Sequence, residues 1–387
     1  MTENSTETVR PYLKGTSINA FSGADLDAAV VLGRIQHLAD RVQTLPGDAY
    51  RSDIVQRACR GLLGKAAPDE PQFVLQPHVV EELARVADDE LPRYLFYRYR
   101  YDVFPRTREL DAFPPCVQIE PTSICNYRCV FCYQTDRSFT QGRSGHMGQM
   151  SLNTFRRVVD EAEGNVEAVT LASRGEPLLC KQIVEMLAYV RGKFLAFKIN
   201  TNGWYLDERK AHAILEAEPN TVVFSADAAD PDLYARLRVR GELQRILNNV
   251  RRFAEIRAKH YPNSRTITRV SGVQYSNEQV FDAVEGFWHD YVDQVAFVAY
   301  LPWESAYGVP ANGVVTPCSD LWRRAFVWWD GQLNPCDVDY KSELSTGKIG
   351  TATLSDLWRG DAYQRLRQTH IEGGRQSLSP CKGCVLI

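Results

Sequence analysis

The chain has 387 residues, 44% of them hydrophobic, with 45 Lys and Arg set against 48 Asp and Glu for a formal charge of −3. That length and apolar share can bury a substantial core, with room for two or three domains. The near-neutral balance leaves no electrostatic footprint for a polyanionic partner, so neither nucleic acid nor a membrane surface is expected.

The amino-terminal stretch MTENSTETVRPYLKG lacks an apolar signal core, and no later run reaches the ~20 uncharged apolar residues of a membrane span. A cytoplasmic protein is expected. Residues 1–112 read as a helical domain: segments 24–42 and 78–90 carry helical periodicity, and the prolines of APDEPQ at 67–72 break it. This part holds no chemical motif, which suits a cap or a docking element.

From Val117 the pattern changes. Short apolar strands are predicted at 116–121, 166–173, 195–201, 221–227, 267–273 and 293–299, with helices near 152–164, 181–192, 207–217, 231–257 and 277–289. Such alternation predicts right-handed βαβ units on a parallel sheet. Six repeats make the fold α/β, a partial (β/α)6 TIM-like barrel over residues 113–300, with chemistry at the carboxyl ends of the strands. Residues 301–387 form a small carboxy-terminal domain, turn-rich from 318, with a hairpin through AFVWWDGQLNPC whose Asp330-Gly331 pair signals the turn. So irregular a segment has a thin core, and a metal staple would stabilise it.

Ten cysteines complete the picture. Cys125, Cys129 and Cys132 are spaced C-x3-C-x2-C directly after the first barrel strand, and Cys318, Cys336, Cys381 and Cys384 form a second set. Cys59, Cys116 and Cys180 are left over. In a reducing compartment clustered thiols hold metal more often than each other. Thiolates suit iron–sulfur clusters, zinc or copper(I). Structural zinc wants four ligands, and the triplet offers three, with His146 the only histidine nearby.

The triplet, with Phe131 before its last cysteine, resembles the signature of the radical SAM superfamily. RGEP at 174–177 resembles that family's GGEP segment, INTNG at 199–203 follows the third barrel strand, and SADAADPDLYARLRVRG at 225–241 matches the stretch at the end of the fourth. The carboxy-terminal cysteine pattern resembles a SPASM-type domain, in the shortened "twitch" variety with one auxiliary cluster.

The resemblance implies two 4Fe–4S clusters and S-adenosyl-L-methionine (SAM). Cys125, Cys129 and Cys132 would hold the first cluster, with SAM at its fourth corner. Reductive cleavage of SAM would then give a 5′-deoxyadenosyl radical that abstracts hydrogen from substrate. Glu176 would accept hydrogen bonds from the SAM ammonium. Ser225 would reach the ribose or carboxylate, as would Asn200 or Asn202. Arg238 would pair with the carboxylate, and Phe131 would flank the adenine. Arg174 stands where the family has the first glycine of GGEP, so its side chain either reaches toward substrate or points to solvent. Cys318, Cys336, Cys381 and Cys384 would fully ligate the auxiliary cluster, which suits electron transfer. Cys180 is either a hydrogen-atom donor or a packing residue. Asp337, Asp339 and Tyr340 either face substrate or are turn residues.

The expected activity is a radical SAM oxidoreductase acting on a small-molecule substrate, dehydrogenating a secondary alcohol of a sugar or aminocyclitol in antibiotic biosynthesis. A reducing partner such as flavodoxin or ferredoxin is implied. The alternatives are an epimerase of a sugar or peptide and an enzyme that modifies ribosomal peptides.

Overall fold

The computed structural model describes residues 11–13, 18–42 and 48–387. Their strands are β1 (Ile18–Ser22), β2 (Cys116–Ile119), β3 (Ala168–Leu171), β4 (Ala196–Thr201), β5 (Thr221–Ser225), β6 (Ile267–Gln274), β7 (Gln294–Ala299), β8 (Arg324–Val327), β9 (Gln332–Asn334) and β10 (Gly347–Lys348). All join one sheet in the order β1-β7-β6-β5-β4-β3-β2-β8-β9-β10. Strands β2 to β7 pair parallel in chain order, each step crossed by helix, so the six strands read from the sequence form the partial barrel. Each is a short run buried between the inner and outer layers, which is why it reads as near-continuous apolar sequence.

Two additions extend the barrel. Strand β8 lies parallel to β2 and carries the hairpin to β9, which pairs antiparallel with β8. Strand β1 pairs antiparallel with β7 at the other edge, inside a region expected to be purely helical. Five residues are too few to show a period among helical signals.

The amino-terminal helices Ala28–Ala39, Ala49–Leu62, Pro77–Arg85 and Leu91–Thr107 share a core around Ile35, Ala58, Leu83 and Leu95. That core reaches Cys116, Ala168 and Ala196, the first residues of β2, β3 and β4. The helices therefore seal the amino ends of these strands and leave the carboxyl ends free. Helix Leu91–Thr107 was invisible to periodicity because it is buried on several sides and has no apolar stripe. Its inward arginines are paired instead, Arg98 with Asp102 and Arg100 with Asp111, each at 2.8 Å.

The single helix expected over 231–257 is two, Pro231–Leu237 and Leu243–His260. The break falls where Arg240 takes φ +75° and where a Cβ on Gly241 would lie 2.7 Å from the Arg238 carbonyl oxygen. This kink frees Arg238 from the helix and turns it toward the barrel mouth.

In the β8–β9 turn, Gly331 has φ +88°, and a Cβ there would meet nothing nearer than 3.5 Å. The Gln332 amide donates to Asp330 at 3.1 Å. Gly331→Ala should therefore cost only the backbone penalty of left-handed conformation, about 1–2 kcal/mol, in urea-induced unfolding. A neutral outcome would mean the turn relaxes.

Candidate active site

The loop that carries the cysteine triplet leaves β2 through Glu120–Ser123 and is clamped from three sides. The Glu176 amide donates to the Ile124 carbonyl at 2.9 Å, and the Arg128 and Val130 amides donate to Val239 and Leu237 at 3.0 and 3.1 Å. Gly175 packs so closely that a Cβ would lie 2.3 Å from the Thr122 carbonyl oxygen. The glycine of RGEP is thus a packing requirement for the cysteine loop.

Burial raises the pKa of all three thiols. For Cys125 the next cause is Glu176, followed by Cys129; Cys132 is pushed up to about 12 by burial and then by Cys129. Cys129 feels the opposing pull of Arg238, whose guanidinium lies 3.7 Å from its sulfur.

Glu176 is buried at the mouth of the barrel. Its carboxylate accepts from the Leu178 amide (3.0 Å), the Thr201 hydroxyl (2.6 Å) and the Asn202 amide (2.7 Å). Burial nevertheless raises its pKa, against those bonds and the pull of Arg238. Asn202 donates to Asn126 at 3.0 Å and lies 4.0 Å from the Cys125 sulfur, and Asn200 Oδ1 is buried with no partner among the described residues. Ser225 is half-buried at the end of β5.

Arg238 is held by Asp227 through both its Nε and, at 2.9 Å, its Nη2. Asp227 is in turn fixed by the Val273 amide at 2.7 Å. The guanidinium lies 5.2 Å from the Phe131 ring centroid, and Phe131 meets Tyr275 at 5.9 Å. Asp227 was missed from the sequence. Its only signal is its place two residues after Ser225, at the same strand end.

The second set gathers its four thiols from distant stretches. Burial raises Cys318 to about 12, with Asp320 and Cys384 adding to it, and Cys336 and Cys381 rise by burial and by their sulfur neighbours. The Cys318 amide donates to His370 Nδ1 at 3.2 Å, and burial lowers the His370 pKa to about 4, leaving the ring neutral as an acceptor. One aromatic block lies against both sets. Tyr133 stacks on Tyr340 at 5.0 Å and on Trp303 at 6.4 Å, in a cluster that touches Cys132 as well as Cys318, Cys336 and Cys384.

These donors fit the groups implied by the sequence. Among the described residues no three His, Cys, Asp or Glu side chains sit close enough to hold a single metal ion. Within each set the thiols raise one another's pKa, so each set gathers soft sulfur donors of the kind an iron–sulfur cluster takes. Around the triplet, the orphaned Asn200 oxygen and the Glu176 carboxylate present acceptors to an ammonium and hydroxyl-bearing ligand.

Other residues named from the sequence need correction or placement. Arg174 does not point to solvent: it is 3% exposed and grips Glu120, itself 0% exposed, through Nε and Nη2 at 2.6 Å each. Its Nη1 donates to the Tyr340 carbonyl at 2.8 Å, and its guanidinium stacks over Trp328 at 4.3 Å. Its donors are thus committed within the protein. Cys180 is 2% exposed in the main hydrophobic core, its thiol pKa raised by burial. Of the turn residues, Asp339 is saturated by Tyr307 (2.7 Å) and the Glu343 and Leu344 amides, whereas Asp337 Oδ1 is buried without a partner among the described residues. His146, the alternative ligand for the triplet, stacks on Phe139 at 5.7 Å.

Comparison with known proteins agrees with this geometry. A profile described as the radical SAM superfamily matches residues 119–285, and one described as an iron–sulfur cluster-binding domain, SPASM, matches 318–385. The chain is a radical SAM superfamily member with a SPASM-type cluster domain. GTP 3′,8-cyclase of Listeria welshimeri is 24% identical over 217 residues, a match spanning 53% of this chain and 61% of the length of that relative. SuiB of Streptococcus suis bound to S-adenosylmethionine shares the fold, with TM-score 0.53 at 15% identity over 84% of each chain. A structure of BtrN in complex with AdoMet and 2-DOIA matches 71% of this chain and 94% of its own, with TM-score 0.49 and 18% identity. The domains matched use SAM, a 4Fe–4S cluster and additional iron–sulfur chemistry. Among the described residues no helix is long and apolar enough to cross a membrane.

Removing Arg174 would strand the Glu120 charge in the interior. Arg174→Met should therefore destabilise the protein by about 3–5 kcal/mol in thermal or denaturant unfolding, and adding Glu120→Gln should restore most of the loss. Equal stability of Arg174→Met and the parent would show that Glu120 finds another partner.

Proposed function

We propose that the protein is an oxidoreductase that dehydrogenates a secondary alcohol of a small molecule, a sugar or aminocyclitol in natural-product biosynthesis. The observation that carries this reading is the second thiol set: four half-buried cysteines from distant stretches feel one another's charge, enough to close every protein-ligand position of one cubane cluster. A closed cluster suits an electron acceptor. An epimerase needs a hydrogen donor beside the substrate, and Cys180, the candidate, is packed in the apolar core, which disfavours that alternative.

In this reading Cys125, Cys129 and Cys132 hold the first cluster, and Cys318, Cys336, Cys381 and Cys384 hold the second. When bound, SAM and the clusters supply hydrogen-atom abstraction and a sink for one electron. The chain's own residues bind and orient. Glu176, with Asn200, Asn202 and Ser225, receives the polar part of SAM, and Phe131 supplies an apolar face. Arg238 adds positive charge beside Cys129. It is already neutralised by Asp227, so it contributes as one half of a buried pair. Asp337, whose Oδ1 is buried and unpartnered next to Cys336, accepts the hydroxyl proton that dehydrogenation releases. Residues 1–112, 113–300 and 301–387 then act as a cap, a radical-generating part and an electron-accepting part. An external one-electron reductant completes the system.

Anaerobic reconstitution with iron and sulfide, beside a SAM-cleavage assay under dithionite, tests the core of this reading. About eight irons per chain and formation of 5′-deoxyadenosine are expected; zinc without iron would refute it. Cys129→Ala should lose one cluster and all cleavage. Cys336→Ala should keep cleavage but lose the oxidised product, and equal product from it would rule out an electron-accepting role. Cys180→Ala should leave product formation unchanged.

A further inference from the structure

Arg375 is 1% exposed, yet among the described residues it has no carboxylate within ion-pair distance. Its guanidinium is held by backbone alone. Nη1 donates to the Thr316 and Leu386 carbonyls at 2.7 and 2.9 Å, Nη2 donates to the Cys384 carbonyl at 2.9 Å, and Nε is buried without a partner. Four other buried arginines are paired with carboxylates: Arg98 with Asp102, Arg100 with Asp111, Arg174 with Glu120 and Arg238 with Asp227. Arg367, Arg323 and Arg269 also lack a carboxylate among the described residues, but each lies over a ring: Arg367 on Trp358 and Tyr363 at 4.3 and 4.2 Å, Arg323 on Tyr101 at 5.1 Å and Arg269 on Phe21 at 6.0 Å. No ring contact of that kind serves Arg375 among the described residues.

A buried cation without a counter-charge is strongly unfavourable, and buried charges are found paired or beside metal centres. The three carbonyls that hold Arg375 belong to the segments that deliver the second thiol set. Thr316 precedes Cys318 by two residues, Cys384 is a member of the set, and Leu386 follows it. The same segments that hold Arg375 would carry the negative charge of four thiolates and their cluster.

We propose that Arg375 is the built-in counter-cation of the auxiliary cluster, a fixed charge that helps retain the cluster and raises its reduction potential. The inference rests on the reading of Cys318, Cys336, Cys381 and Cys384 as cluster ligands. Net charge and nearby hydrogen bonds set the potentials of such clusters, and reduction adds negative charge, so a fixed cation favours the reduced form. Arg375 touches neither substrate nor SAM in this account. It acts on the cluster's readiness to accept an electron.

The test uses the full chain with Cys125, Cys129 and Cys132 changed to Ala, so that only the second set can load. Iron content and an EPR-monitored redox titration are measured for this parent and for Arg375→Gln and Arg375→Lys within it. The parent is expected to hold one cluster. Arg375→Gln should shift the oxidised-to-reduced equilibrium at least tenfold toward the oxidised form, about 59 mV for one electron, while Arg375→Lys, which keeps the charge, should stay near the parent. Loss of iron from Gln but not from Lys supports the proposal equally. An unchanged potential in Gln, an equal shift in Gln and Lys, or equal loss of iron from both would overturn it in favour of a neutral hydrogen-bonding staple. A parent without iron would overturn the ligand assignment itself, and the proposal with it.

Discussion

The buried pair of Glu120 and Arg174 ties together what would otherwise be separate parts. Glu120 directly follows β2 and Arg174 follows β3, so their bond joins the two strand ends between which the cysteine loop emerges. Glu120 also accepts from the Trp329 amide at 3.2 Å, and Arg174 donates to the Tyr340 carbonyl, so both partners reach into the hairpin region as well. The pair fixes the placement of the carboxy-terminal part against the barrel mouth. Charges so deeply buried are rarely a net gain over apolar packing. Their use here is geometric, since only this bidentate arrangement satisfies both groups.

That arrangement imposes conditions on its neighbours. Ser173, between β3 and Arg174, takes φ +134°, a conformation that side chains other than glycine seldom adopt. The strain is held by the Tyr133 hydroxyl, which donates to the Ser173 carbonyl at 2.9 Å, and by Gly175 pressed against Thr122 and Ile124. Tyr133 directly follows Cys132, so the same contacts that bend the strand end also seat the last cysteine of the triplet. The aromatic block built on Tyr133 then carries this order across to Cys318, Cys336 and Cys384.

Legibility in the sequence follows from these physics. The six barrel strands stand out because each must be apolar on both faces, and the cysteine sets stand out by spacing. Helix Leu91–Thr107 does not, because pairing of its arginines with acids replaces an apolar stripe as the means of burial. The break at Arg240 and Gly241 is hidden inside an otherwise continuous helical pattern, since only the closeness of the Arg238 carbonyl makes glycine necessary there. Arg174 reads as a free cation beside the site until Glu120, 54 positions earlier, is seen to face it. Partners brought together by the sheet leave no local trace. Asp227 is the intermediate case, near enough to Ser225 to be noticed and yet identified only by its grip on Arg238.

Among the described residues the buried arginines are balanced by different means: carboxylates, aromatic faces or backbone carbonyls. Where an arginine serves architecture, as at Arg98, Arg100 and Arg174, the sequence supplies a carboxylate and the charge is silent beyond the pair. Arg238 is paired and yet faces the site: Asp227 neutralises it, but Nη1 still reaches the Cys129 sulfur at 3.7 Å, so Cys129 meets a guanidinium where Cys125 meets the Glu176 carboxylate. The three thiols of the triplet are therefore electrostatically unequal before any metal binds.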